Sequence, residues 1–162
     1  MAIGNKAVVT LATNCPNLAT VRLSSSGIRG DSSVVALARN CPKLTTIAIN
    51  FCTDLTDAST QALVAGCPNL TNINISHNRG ISDPSVLSLA RGPQALSVVD
   101  YSSCDMWISD AAEDELLEAK REHLVSLNES NSRILSAVLL GGLGLAPPMP
   151  GLGGGGGGCA TH

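Results

Sequence analysis

The sequence predicts an α/β fold: a right-handed solenoid of about four 26-residue strand–helix repeats, with a parallel concave sheet and helices on the convex side. Three observations carry this. An apolar pattern, L-x-x-Φ-x-Φ with Φ apolar, returns at a step of 26 residues. Asp and Cys-Pro punctuation returns at the same step. Aromatics make up only 2% of a chain that is 44% hydrophobic, so the core must be filled by aliphatic side chains and cysteine in thin layers.

The strands come from the apolar pattern. Leu18, Val21 and Leu23 open it, followed by Leu44, Ile47, Ile49, then Leu70, Ile73, Ile75, then Leu96, Val99, Tyr101. Three residues beyond the last apolar position stand Ser26, Cys52, Asn78 and Cys104. There the chain must leave the sheet. An Asn side chain bonds the turn's backbone groups, and a Cys fills the same space with a weak donor. Asn78, Cys52 and Cys104 therefore read as a structural ladder rather than metal ligands.

The helices lie between the strands. Asp31, Asp57 and Asp83 open segments of roughly ten residues, about three turns. Each Asp is expected to cap its helix by accepting from free backbone N–H groups. Pro84 suits a first turn. Leu11, Leu37, Leu63 and Leu89 mark the buried face, while Pro16, Pro42 and Pro68, after Cys15, Cys41 and Cys67, stop each helix. The fourth copy places Pro93 in the cysteine column. No repeat of this kind buries its apolar face alone, and stacking makes the faces one core.

The ends differ. Val8, Val9 and Leu11 belong to a repeat with no cap, so an exposed apolar end is expected there: either the chain is a fragment or a partner covers that end. Residues 110–127 read as a longer capping helix, with Leu116, Ala119, His123 and Leu127 in a stripe and acids in its first turns. The solenoid with this cap spans 1–128. Residues 129–146 form a weak apolar extension or linker, too short and too glycine-broken for a membrane anchor. Residues 147–162 form a Pro/Gly-rich tail expected to be disordered.

Composition excludes several classes. The net charge is -3, and no basic cluster invites nucleic acid. Eight of the 13 acidic residues fall between Asp105 and Glu129. Five of the six cysteines occupy core columns, so a disulfide framework is rejected and a reducing compartment, cytoplasmic or nuclear, is expected. The terminal glycine run lacks the Lys-Ser/Thr of a phosphate loop. Cys159 and His162 are too few for a zinc site. No cofactor, metal or catalytic residue is expected. A Cys52–His77 thiol–imidazole pair is not expected to form, since the repeat register turns them in different directions. The acidic run reads as a solvated helix face, and Trp107 as packing against the terminal helix, with a hot spot for a partner as the alternative.

The pattern "CPNL..I.I......ISD..V..LA..CP.L" resembles the cysteine-containing subtype of leucine-rich repeats, over about residues 5–127. That subtype is best known from F-box/leucine-rich-repeat proteins, the substrate receptors of SCF-type ubiquitin ligases, and from relatives without an F-box. The resemblance implies ubiquitin-ligase subunits as candidate partners. No F-box is present in this chain, since Met1 falls within the helix half of a repeat.

A protein or peptide ligand is expected on the concave face, where residues between the apolar strand positions point outward. The outward columns are Thr20, Thr46, Asn72, Val98; Arg22, Ala48, Asn74, Asp100; Ser24, Asn50, Ser76, Ser102; and, nearer the rim, Ser25, Phe51, His77, Ser103. The candidate partner-binding residues are Arg22, Asn50, Phe51, Asn74, His77 and Asp100, with Phe51 as the leading anchor. The first functional expectation is a protein-binding module, as substrate recognition for an SCF-type ligase. The alternatives are a free-standing repeat scaffold or a fragment of a larger repeat protein, with an enzyme last.

Overall fold

The computed structural model describes residues 3–52, 54–104, 108–124 and 126–128, the last three by backbone alone. The extension, the tail, Cys159, His162 and Trp107 lie outside the described residues. Five helices alternate with five strands: α1 (Asn5–Asn14), β1 (Thr20–Arg22), α2 (Ser32–Asn40), β2 (Thr46–Ala48), α3 (Asp57–Gly66), β3 (Asn72–Asn74), α4 (Asp83–Arg91), β4 (Val98–Asp100), α5 (Asp110–Lys120) and β5 (Ser126–Asn128). The strands pair in parallel in sequence order, with Val21 beside Ile47, Ile73 and Val99. This is a leucine-rich-repeat solenoid.

The core is the stack of apolar columns. Leu37, Leu63 and Leu89 are fully buried from the helices, as are Leu44, Leu70 and Leu96 before the strands. Each such side chain contributes roughly 1.5–3 kcal/mol by leaving water. Tyr101 is the one aromatic ring inside the core among the described residues. Helices α1, α2 and α3 stop as expected at Cys15, Cys41 and Cys67, whose N–H groups close on Leu11, Leu37 and Leu63 before the prolines end the bonding.

Hydrogen bonds run from repeat to repeat in columns, of which three involve the Asn/Cys, Cys and Asp positions. In the first, Asn78 Nδ2 donates to the carbonyls of Ile49 (2.9 Å) and Ile75 (2.8 Å), and Cys52 N–H donates to Asn78 Oδ1 at 2.8 Å. Cys52 and Cys104 keep the column with thiols aimed at Leu23 O (3.5 Å) and Ile75 O (3.3 Å). In the second, Cys41 Sγ donates to Cys15 O at 3.5 Å and Cys67 Sγ to Cys41 O at 3.7 Å. Burial, with Cys41 adding to it, pushes the Cys67 thiol up to about 11, so it stays a protonated donor. All five described cysteines are free thiols.

The third column corrects an expectation. The Asp carboxylates do not cap their own helices. Asp31 accepts from Thr56 N–H (2.8 Å), Thr56 Oγ1 (2.7 Å) and Ser59 Oγ (2.5 Å), all on the next repeat. Asp57 does the same with Ser82 and Ser85, and Asp83 with Ser109. In α3 and α5 capping falls to the preceding hydroxyl: Thr56 accepts from Ala58 N–H and Ser109 from Ala112 N–H. The neighbouring repeat presents an amide and one or two hydroxyls to each carboxylate, a richer set than its own helix start.

The C-terminal end is the second correction. Residues 110–127 are not one capping helix. α5 ends at Lys120, and β5 pairs with β4, setting Val99 beside Leu127. Lys120 takes the next place in the cysteine column after Pro93. Lys120, buried in the core, turns its ammonium to the carbonyls of Pro93 (2.9 Å) and Gly92 (3.4 Å). Burial holds its pKa below the ordinary lysine value. Leu124 and Leu127 then repeat the Leu-x-x-Φ strand signature of Leu96 and Val99 at a step of 28 rather than 26.

The N-terminal end is apolar only in part. Val8 is buried against the second repeat, whereas Leu11 is 39% exposed, because its column is covered from the preceding side in every later repeat. Ile3 and Val9 are exposed as well.

Two outcomes test this account. Asn78→Ala leaves three backbone groups without partners and lowers the unfolding free energy by about 3 kcal/mol in urea titrations, while Asn78→Cys loses about half of that. Burial alone would raise the Asp31 pKa, but the hydrogen bonds from Ser59 and Thr56 outweigh it and hold the carboxyl below its ordinary value. Its stabilisation is therefore full above the unfolded pKa of about 3.9 and fades as pH falls through the lower folded value. Asp31→Asn flattens the acid limb of stability plotted against pH.

Candidate protein-interaction surface

The strands are short because each crosses the concave side in only three residues and then turns away. Their centres, Val21, Ile47, Ile73 and Val99, point into the core. The residues on either side face out and line a shallow groove of about 450 Å³ running across the sheet. Arg22, Asn50, Asn74 and Asp100 all border it. The register sets Arg22, Ala48, Asn74 and Asp100 in one row across β1 to β4. Small Ala48 between longer neighbours forms the floor of that row.

Much of this polar surface is already organised. Ser24 Oγ donates to Asn50 Oδ1 on the neighbouring repeat. Asn74 Nδ2 donates to Asp100 Oδ2 at 2.8 Å. Asn74 Oδ1 and Asp100 Oδ1 each accept from the amide and hydroxyl of the serine two residues on, Ser76 and Ser102. Ser76 is consequently buried, not outward-facing as its column predicts. Arg22 is exposed and has no hydrogen bond or ion pair among the described residues.

Phe51 and His77 form a separate cluster at the rim. Their rings stack with centroids 4.0 Å apart and planes 9° apart. The stack exists because both stand in one column of adjacent repeats, where the chain leaves the sheet. All four residues of that column have positive φ: Ser25 at 52°, Phe51 at 59°, His77 at 57° and Ser103 at 60°. The turn permits the amides of Ser25, Phe51 and His77 to donate to Asn50, Ser76 and Ser102 of the next strand. A left-handed conformation costs a non-glycine residue roughly 1–2 kcal/mol. The serines show that the turn needs no ring, so the two rings are not there to make it. Phe51 remains 50% exposed and lines a small pocket of about 120 Å³ with Arg29 and Asp54, an exposed ion pair at 3.5 Å.

The six candidate residues therefore divide into a groove set of four and a rim pair. Cys52 lies next to Phe51 in sequence, but its thiol bonds Leu23 O in the core while the His77 ring lies on Phe51. The Arg29–Asp54 pair and the Asn74–Asp100 bond escaped sequence reasoning. The second had a signal, since an amide and a carboxylate stand in one column at a step of 26.

No family model and no curated protein matches the chain. Solved structures do resemble it. "Leiomodin-1 Actin-Binding Site 2 (ABS2)" superposes with a TM-score of 0.62 at 15% identity, covering 84% of this chain and 84% of that one. The tropomodulin C-terminal domain of Caenorhabditis elegans superposes with a TM-score of 0.58 at 13% identity, covering 86% and 98%. At these identities the likeness is one of fold.

Because Phe51 is half exposed and its turn is formed by backbone, Phe51→Ala keeps the protein folded. Its urea-unfolding free energy should fall by no more than about 1 kcal/mol, the order of an exposed aromatic stack.

Proposed function

We propose that this chain is a protein-binding repeat module of the cysteine-containing leucine-rich-repeat type, a non-catalytic scaffold that receives a partner on its concave face and the adjoining rim. The observation that carries this is the division of the surface. The inward columns build the fold, while an open groove bearing Arg22 and Asp100, and the half-exposed Phe51 beside it, are not needed to build it. Aromatic and arginine anchors of this kind are enriched at interface hot spots. The actin-binding site named in the leiomodin-1 structure supports protein as the ligand class for this fold. The free-standing scaffold is the reading favoured here; a role in an SCF-type ligase rests on the repeat resemblance alone. Buried free thiols acting as donors suit a reducing compartment, the cytosol or nucleus.

The test is affinity capture from native cells under proteasome inhibition, comparing the natural protein with the Phe51→Ala, Arg22→Glu double variant by mass spectrometry. Proteins retained by the first and lost by the second are the partners. Recovery of a Skp-type adaptor and a cullin would restore the ligase role, and unrelated partners alone support the scaffold. Identical recoveries with both proteins would remove the concave face and rim from the function.

A further inference from the structure

The groove carries opposite charges at its two ends. Arg22 stands on β1 and Asp100 on β4, in one register row with Ala48 and Asn74 between them. Among the described residues neither has an oppositely charged side chain within ion-pair reach. Asp100 keeps its place through three hydrogen bonds, from Asn74 and twice from Ser102, all from neutral donors, so its charge is held but not neutralised. Arg22 extends from the edge strand. Three strand spacings of about 4.8 Å separate the two columns, roughly 14 Å.

We infer that the groove selects an extended peptide segment bearing one acidic and one basic group about four residues apart, the acid seated at Arg22 and the base at Asp100. An extended chain advances about 3.3 Å per residue, so roughly four residues span that separation. The segment lies across the strands. Its backbone crosses the low floor at Ala48, where no long side chain obstructs it, and the half-buried Thr46 and Asn72 offer hydroxyl and amide groups beside its path. A segment of the opposite polarity meets like charge at both ends, which is how charge arrangement excludes wrong partners and fixes register. This inference rests on the protein-binding reading and specifies its ligand.

The experiment uses a phage-displayed library of random twelve-residue peptides, selected in parallel on the natural protein and on an Arg22→Glu, Asp100→Lys charge-swapped protein. The natural protein should enrich peptides with an acid and a base at the stated spacing. The swapped protein should enrich the same spacing with the order of charges reversed. Peptides chosen by the natural protein should bind the swapped one about tenfold more weakly or worse. Asp100→Asn, which keeps an acceptor for Ser102, guards against misfolding of the swapped protein: it should retain the preference for the acid and lose that for the base. Absence of charge-paired peptides, or a selection indifferent to the swap, overturns the inference. If cellular partners are still lost on changing Phe51, the protein-binding reading stands without it.

Discussion

The hydrogen bonds that cross from each repeat to the next are the constraint on which everything else depends. A three-residue strand and a helix of about ten residues form no stable unit alone, because short helices are marginal in water and a lone strand has no ladder. In this chain the Asn/Cys column, the Cys-to-carbonyl column and the Asp-to-hydroxyl column each place a side chain on one repeat and its partner on the neighbour. Stability is thus stored between repeats. That explains why the step of 26 is held so closely from β1 to β4.

The same constraint made the fold legible in the sequence. The inward apolar columns repeat closely in residue type, since their neighbours repeat too. Leu37, Leu63 and Leu89 are interchangeable because their surroundings are. Legibility failed where a column's partner changed. After Pro93, which carries no thiol, the next place in the cysteine column falls to Lys120, whose ammonium donates to Pro93 O, and the step to the following strand is 28, so an expected helix end is β5. The Asp column failed differently. Its spacing was readable, but spacing alone cannot distinguish a carboxylate that caps its own helix from one that reaches about 5 Å along the stack.

The candidate surface was legible only as a set of positions. Outward columns do not repeat in residue type, so periodicity names Arg22, Asn74 and Asp100 without saying which of them meet. That Asn74 bonds Asp100 while Arg22 stays unpaired follows from who stands beside whom: Ala48 separates Arg22 from Asn74. The rim pair shows the same logic in reverse. Two rings in one column at adjacent repeats must lie within a strand spacing, so their stacking follows from the period once the turn's left-handed backbone is known.

Charge along the stack extends this reasoning beyond the groove. Up to Cys52 the chain carries Lys6, Arg22, Arg29, Arg39 and Lys43 against Asp31 alone, whereas the acids gather beyond it, most densely from Asp110 to Glu122 on and just after α5. In a globular fold such a division would be mixed by chain reversal. A solenoid lays sequence order out along an axis, so a sequence asymmetry becomes a spatial one. The field it sets up has the same sense as the groove, positive toward β1 and negative toward β4. On the proposed reading, a partner of matching polarity would be oriented by this field before it reached Arg22 and Asp100, and the two groove charges would act at contact range on a ligand already turned the right way.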